Sequence, residues 1–116
     1  MTKHPSQGEY KRVLCVCSGG LLRSATAALV LSSPPYDFNT RAAGITEQYA
    51  LVDVTQNLID WADEIVLMEA KHFLEICKRF DVADNKCIVL GLTDDYLYRD
   101  PKLIEAIKEK YDARSI

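Results

Sequence analysis

Residues 13–24 read Val-Leu-Cys-Val-Cys-Ser-Gly-Gly-Leu-Leu-Arg-Ser. The apolar, β-branched run stops at a cysteine, passes two glycines and gives way to a helix-forming stretch. Few folds accommodate that order: a buried strand over Arg12 to Cys17, a tight loop, and a helix from Arg23 to about Ser32, where Pro34-Pro35 forbids continuation. A loop of this kind points successive backbone N–H groups into one concavity, and the helix N-terminus adds partial positive charge. A tetrahedral oxyanion fits there. The amides of Ser18, Gly19, Gly20, Leu21 and Leu22 are the candidate cradle, and Arg23 is a planar cationic fork able to hold two oxygens. The same field favours a thiolate at Cys17, the candidate nucleophile. Cys15, on the same strand, reads as core, the ordinary fate of a cysteine in an apolar run.

The 116 residues suffice for one domain, expected over 11–116 behind a flexible tail at 1–10. Fourteen basic against seventeen acidic residues, a net charge of −3, argue against a nucleic-acid partner and leave no polybasic membrane patch. Attraction for an anion must then be local to the loop. No apolar run reaches the roughly 18–20 residues of a membrane span, and the first ten residues lack a signal peptide's apolar stretch, so a cytoplasmic location is expected. Cys15, Cys17, Cys77 and Cys87 form no CxxC pair and neither His4 nor His72 stands at ligand spacing, so no metal and no cofactor are expected. A working nucleophile also needs a reducing compartment.

Strand and helix signals alternate along the rest. Asn39 to Ala43 is a second strand closed by Gly44. Asp53 can cap a helix with Gln56 three residues on, and Leu51, Val54, Leu58 and Trp61 share one face, with Trp61 in the core. Glu64 to Met68 is a third strand. Phe73, Ile76, Cys77 and Phe80 follow at helical spacing, which places Cys77 inside, while His72, near that helix's start, is expected to be exposed. Lys86 to Leu92 is a fourth strand, and Asp100-Pro101 opens a last helix that turns Leu103, Ile104, Ile107 and Tyr111 inward.

Such alternation gives an α/β fold of three layers, a parallel sheet covered on both faces by helices. Ligands of these sheets bind at the carboxyl ends of the strands, where Cys17 sits. The loop after strand four, Gly91-Leu92-Thr93-Asp94-Asp95-Tyr96, leaves the same edge. One of its carboxylic acids can protonate a leaving oxygen. Tyr96 is the first candidate for an aromatic cleft wall, with Tyr49 and Tyr98 as others.

Cys-Ser-Gly-Gly-Leu-Leu-Arg-Ser at 17–24 resembles the phosphate loop of the low-molecular-weight protein tyrosine phosphatases. Thr40-Arg41-Ala42-Ala43-Gly44, Trp61-Ala62-Asp63 with Glu64 to Glu69, and Thr93-Asp94-Asp95-Tyr96 resemble that family's second strand, third strand and acid loop. The resemblance covers most of the chain from about Lys11. It implies a four-stranded parallel sheet in the order 2-1-3-4, a phosphocysteine intermediate, no metal, and a phosphotyrosine protein or small aryl phosphate as substrate. It also implies roles: Cys17 the nucleophile, Arg23 the phosphate clamp, Ser24 a hydroxyl donor to the thiolate, Asp94 the general acid with Asp95 the alternative. Gly20 stands where the family usually has an Asn that braces the loop, Leu22 where it has a second cysteine, and Asp95 where it has a proline.

Three other readings share parts of the pattern. Sugar-phosphotransferase IIB carriers also end a first strand in Cys-Ser-x-Gly, but Arg23 and the acid loop suit hydrolysis better than storage of phosphocysteine. Arsenate reductases need two further relaying cysteines, for which Cys77 and Cys87 are the candidates. A non-catalytic phosphate-binding module would keep the cradle without turnover.

Overall fold

The computed structural model describes residues 11–18, 23–45, 53–92 and 100–114. Four strands, β1 (Arg12–Cys17), β2 (Asn39–Gly44), β3 (Glu64–Leu67) and β4 (Cys87–Val89), alternate with helices α1 (Arg23–Leu31), α2 (Gln56–Trp61), α3 (Ala70–Arg79) and α4 (Pro101–Arg114). The strands form one sheet in the order β2-β1-β3-β4, every pair parallel. This is the expected topology. Among the described residues no helix is long and apolar enough to cross a membrane.

The pleat of β1 divides the interior in two. Val13, Cys15 and Cys17 pack with Ala27, Val30 and Leu31 of α1 and Leu103, Ile107 and Tyr111 of α4. Leu14 and Val16 point the other way, into a second cluster holding Ile59 of α2 and Ile76 of α3. A strand covered on both faces explains its unbroken apolar run. Cys15 is fully buried, and burial first, with the charge of Glu64 second, pushes its thiol far above the ordinary range.

At the amino end of the sheet Glu64 gathers Lys11 Nζ at 3.0 Å and the Tyr111 hydroxyl at 2.7 Å, while the Tyr36 hydroxyl donates to Asp112 at 2.7 Å. Tyr111 packs edge to face on Tyr36 and Phe38, which tilt against each other. This cluster ties α4 to β3 at the end remote from the Cys17 loop.

Several expectations are corrected. Thr55, not Asp53, caps α2: its hydroxyl accepts the Leu58 N–H at 3.2 Å. Asp53 is held in a bridge to Gly44, and the neighbouring Val54 N–H donates to the Gly44 carbonyl, so the chain stays extended there and the helix starts later. β4 is three residues, because Lys86 ends a 3₁₀ turn (Asp84–Lys86). Leu90 and Leu92 still donate to the carbonyls of Leu67 and Met68 beyond the ladder. Cys77 is exposed, because the fully buried stripe of α3 is only His72 and Ile76, with Phe73 and Phe80 half-buried beside it. Trp61 is half-buried, its ring lying 4.9 Å from the Arg41 guanidinium.

Candidate active site

Four strands deliver their carboxyl ends to one edge. Cys17 is in register with Gly44, the Met68 N–H donates to the Val16 carbonyl, and the Leu92 N–H donates to that of Met68. The termini of α1 and α3 face the same edge. Backbone pairing alone therefore assembles Cys17, the start of α1, Met68-Glu69 and Leu92.

Cys17 is 3 % exposed. Its Sγ lies 3.2 Å from Ser24 Oγ, a hydrogen bond that reverses direction with ionisation: the thiol donates to the hydroxyl, whereas a thiolate accepts from it. Ser24 is in the first turn of α1 and fully buried. Arg23, just before it, is 4 % exposed. A cation taken that far from water needs a counter-charge and saturated donors. Glu69 Oε2 receives Arg23 Nη1 at 2.5 Å, and the same nitrogen donates to the Leu92 carbonyl at 2.8 Å. Lys71 Nζ lies 4.0 Å from the same Glu69 oxygen.

His72 is 1 % exposed, against the expectation of an exposed side chain. It stands at the third position of α3, and its ring is caught between two partners. The Glu69 N–H donates to Nδ1 at 3.1 Å, which requires that nitrogen to be unprotonated; the ring proton is then on Nε2, which donates to Ser18 Oγ at 3.1 Å. Burial first, then the Arg23 charge, push the imidazole down to about 4, with Lys71 adding to the effect and Glu69 opposing it. The ring is thus neutral at physiological pH.

The structure brings together Cys17, Ser18, Arg23 and Ser24 among the expected site residues. Gly19, Gly20, Leu21, Leu22, Asp94, Asp95, Tyr96, Tyr49 and Tyr98 lie outside the described residues. Asp100 accepts the Lys102 N–H at 2.9 Å and starts α4, as its sequence context suggests. Glu69 and His72 were missed. Their signal was available: a carboxylate directly after a buried strand adjacent to β1 must emerge beside the Cys17 loop, and the residue three on shares its helical turn.

Cys87 is paired with Ile65, which is itself level with Leu14 on β1. Cys17 lies three residues further along and two strands across, on the order of 10 Å in each direction. Disulfides need Cα atoms about 4.4–6.8 Å apart. That spacing disfavours a direct Cys17–Cys87 relay.

No protein-family model matches the chain, and no curated protein matches it in sequence. Solved structures do. Tyrosine phosphatase AmsI of Erwinia amylovora superposes with a TM-score of 0.73 over 99% of this chain and 100% of its own, at 18% identity. Wzb of Vibrio vulnificus, solved with benzylphosphonate, gives 0.69 over 90% and 94%, at 19% identity. The chain has the fold of the low-molecular-weight tyrosine phosphatases. The YwlE arginine phosphatase of Geobacillus stearothermophilus shares that low-molecular-weight phosphatase fold with it, at a TM-score of 0.64, 21% identity and coverage of 88% and 86%.

Proposed function

We propose that this chain is a cysteine-dependent phosphomonoesterase that acts on protein phosphotyrosine. The observation that carries the reading is a cysteine sulfur at the carboxyl end of a central strand, 3.2 Å from the hydroxyl of Ser24, whose neighbour in the first turn of α1 is the buried Arg23. That is a nucleophile, a group that stabilises its anion and a cation for the phosphoryl oxygens, on a phosphatase fold.

In the proposed reaction the Cys17 thiolate attacks phosphorus in line, the S–P bond forms and the P–O bond to the tyrosyl oxygen breaks, with Asp94 giving that oxygen its proton. Arg23 and the loop amides bear the charge of the equatorial oxygens. Water then attacks the phosphocysteine, Asp94 takes its proton, and the thiolate returns as phosphate leaves. The Ser24 hydroxyl stabilises the thiolate as attacker and as leaving group. Ser18 to Leu22 line the phosphate and Tyr96 walls the aryl ring. Free aryl phosphates fit the same scheme. No step needs a metal or cofactor, and a reducing cytoplasm would preserve the thiol.

The deciding assay is para-nitrophenyl phosphate hydrolysis by the wild type and Cys17→Ser, with trapping of a phosphoenzyme. Turnover that survives Cys17→Ser would falsify the reading. The likeness to an arginine phosphatase makes phosphoarginine the second substrate to compare with phosphotyrosine.

A further inference from the structure

The five residues between Cys17 and Arg23 include Gly19 and Gly20, which bring no side chain to hold the loop in shape. The loop's two ends nevertheless meet the same partner. At its start, Ser18 Oγ accepts from His72 Nε2 at 3.1 Å; at its finish, Arg23 donates to Glu69 at 2.5 Å. Glu69 and His72 are the cap and third residue of α3, joined to each other by the Glu69 N–H to Nδ1 bond. One turn of one helix grips both ends of the loop.

We propose that His72 is a positioning residue for the candidate anion site: bonded to Ser18 on one side and to Glu69, the partner of Arg23, on the other, it fixes Ser18 and Arg23 relative to one another before an anion arrives. The inference rests on the reading of 17–24 as a phosphate cradle. His72 touches neither phosphate nor nucleophile in this scheme. It acts by fixing where Ser18 stands relative to Arg23, which is preorganisation rather than contact.

The neutral tautomer is what makes the grip work. An Nδ1-protonated ring would present a proton to the Glu69 N–H and break the bond that joins His72 to Glu69; the Ser18 hydroxyl, which can donate or accept, then meets Nε2 as an acceptor. Arg23, Lys71 and Glu69 are the charged groups acting on the ring. Two cations against one carboxylate, together with burial, favour the form that the geometry requires.

The test is a double-mutant cycle on Ser18→Ala and His72→Gln, read as inorganic phosphate affinity by isothermal titration, with melting temperature recorded for each variant. Each single variant should weaken phosphate by roughly two- to tenfold, the worth of one hydrogen bond, and the double variant should be no weaker than the worse single one. A structural role alone would lower melting temperatures without that coupling. Additive losses, or unchanged phosphate affinity in either single variant, overturn the proposal. Should His72→Gln fail to fold, the wild type decides through imidazole ¹⁵N shifts: the Nε2–H tautomer must be present, and Ser18→Ala must shift Nε2. The opposite tautomer, or an unmoved Nε2, overturns it. Turnover is separate: a coupled cycle in a protein without phosphatase activity sinks the functional reading and leaves the positioning role, whereas an active enzyme with an additive cycle does the reverse.

Discussion

Arg23 Nη1 donates to the Leu92 carbonyl at 2.8 Å, which ties the arginine that opens α1 to the root of the segment that carries Asp94. The same nitrogen is neutralised by Glu69. Arg23 therefore connects α1, α3 and the chain leaving β4. Arg23→Lys keeps the charge but replaces a planar fork by a point donor on a flexible stem. The expected outcome is a loss of kcat/KM for para-nitrophenyl phosphate of at least about 10²-fold, the scale of one transition-state charge contact. A loss below tenfold would show that the guanidinium does not bear phosphoryl charge.

Glu69→Gln preserves size and one acceptor while removing the charge. A buried arginine left with a neutral partner destabilises the fold by about 2–3 kcal/mol, the range for hydrogen bonds to charged groups. Urea unfolding of both proteins measures it. An unchanged midpoint with an unchanged slope means that water already satisfies Arg23.

The pH dependence of stability carries the mark of His72. Its folded value, pushed down to about 4, lies below the 6.5 of the unfolded chain. Between those values the unfolded state holds a proton that the folded state refuses, so stability is intact above about 6.5 and is lost as pH falls toward 4. The slope approaches about 1.4 kcal/mol per pH unit for one proton. Carboxylates titrating in the same window contribute to both proteins, so the readout is the difference between wild type and His72→Gln. The variant should be flatter from pH 6.5 to 4; parallel curves would mean that the ring titrates normally.

Asp94→Asn should slow phosphotyrosine hydrolysis by about 10²–10⁴-fold while affecting an activated aryl phosphate far less, because general acid help matters most for a basic leaving group. Asp95→Asn and Asp100→Asn should show no such asymmetry; for Asp100 the structural role in starting α4 accounts for the residue. A leaving-group-dependent loss in either of these, and not in Asp94→Asn, reassigns the acid.

Gly20→Asn supplies the loop with the bracing side chain that related phosphatases usually carry at that place. Turnover should rise and vanadate bind more tightly. If both fall, the loop has its own geometry and the grip by α3 already suffices.

The fold was legible because β1 is apolar at every position after Arg12, a pattern that burial on both faces explains, and because prolines and glycines punctuate the later elements. That Cys17 ends a strand with Ser18 next to it, and that Arg23 and Ser24 start the helix that follows, was legible from their spacing. His72 and Cys77 were read with their burial exchanged. The periodicity of α3 was taken as a broad apolar stripe, but the helix buries its His72–Ile76 edge, and a buried histidine is invisible to hydrophobic pattern when two hydrogen bonds make its burial tolerable. Asp53 was misjudged because a cap residue and a bridge to Gly44 compete for the same backbone, and sequence shows only the first. Glu69 was passed over because a carboxylate reads as solvated until its counter-ion is seen.

The pleat of β1 makes the candidate nucleophile a member of the core, packed with Cys15 and Val13 against α1 and α4. The packing covers that residue on the side of α1 and α4, and Cys17 is the last residue of its strand. In the proposed reaction a phosphorus would therefore meet the sulfur from beyond the carboxyl end of β1, where parallel sheets take their ligands, rather than through the layer of α1 and α4.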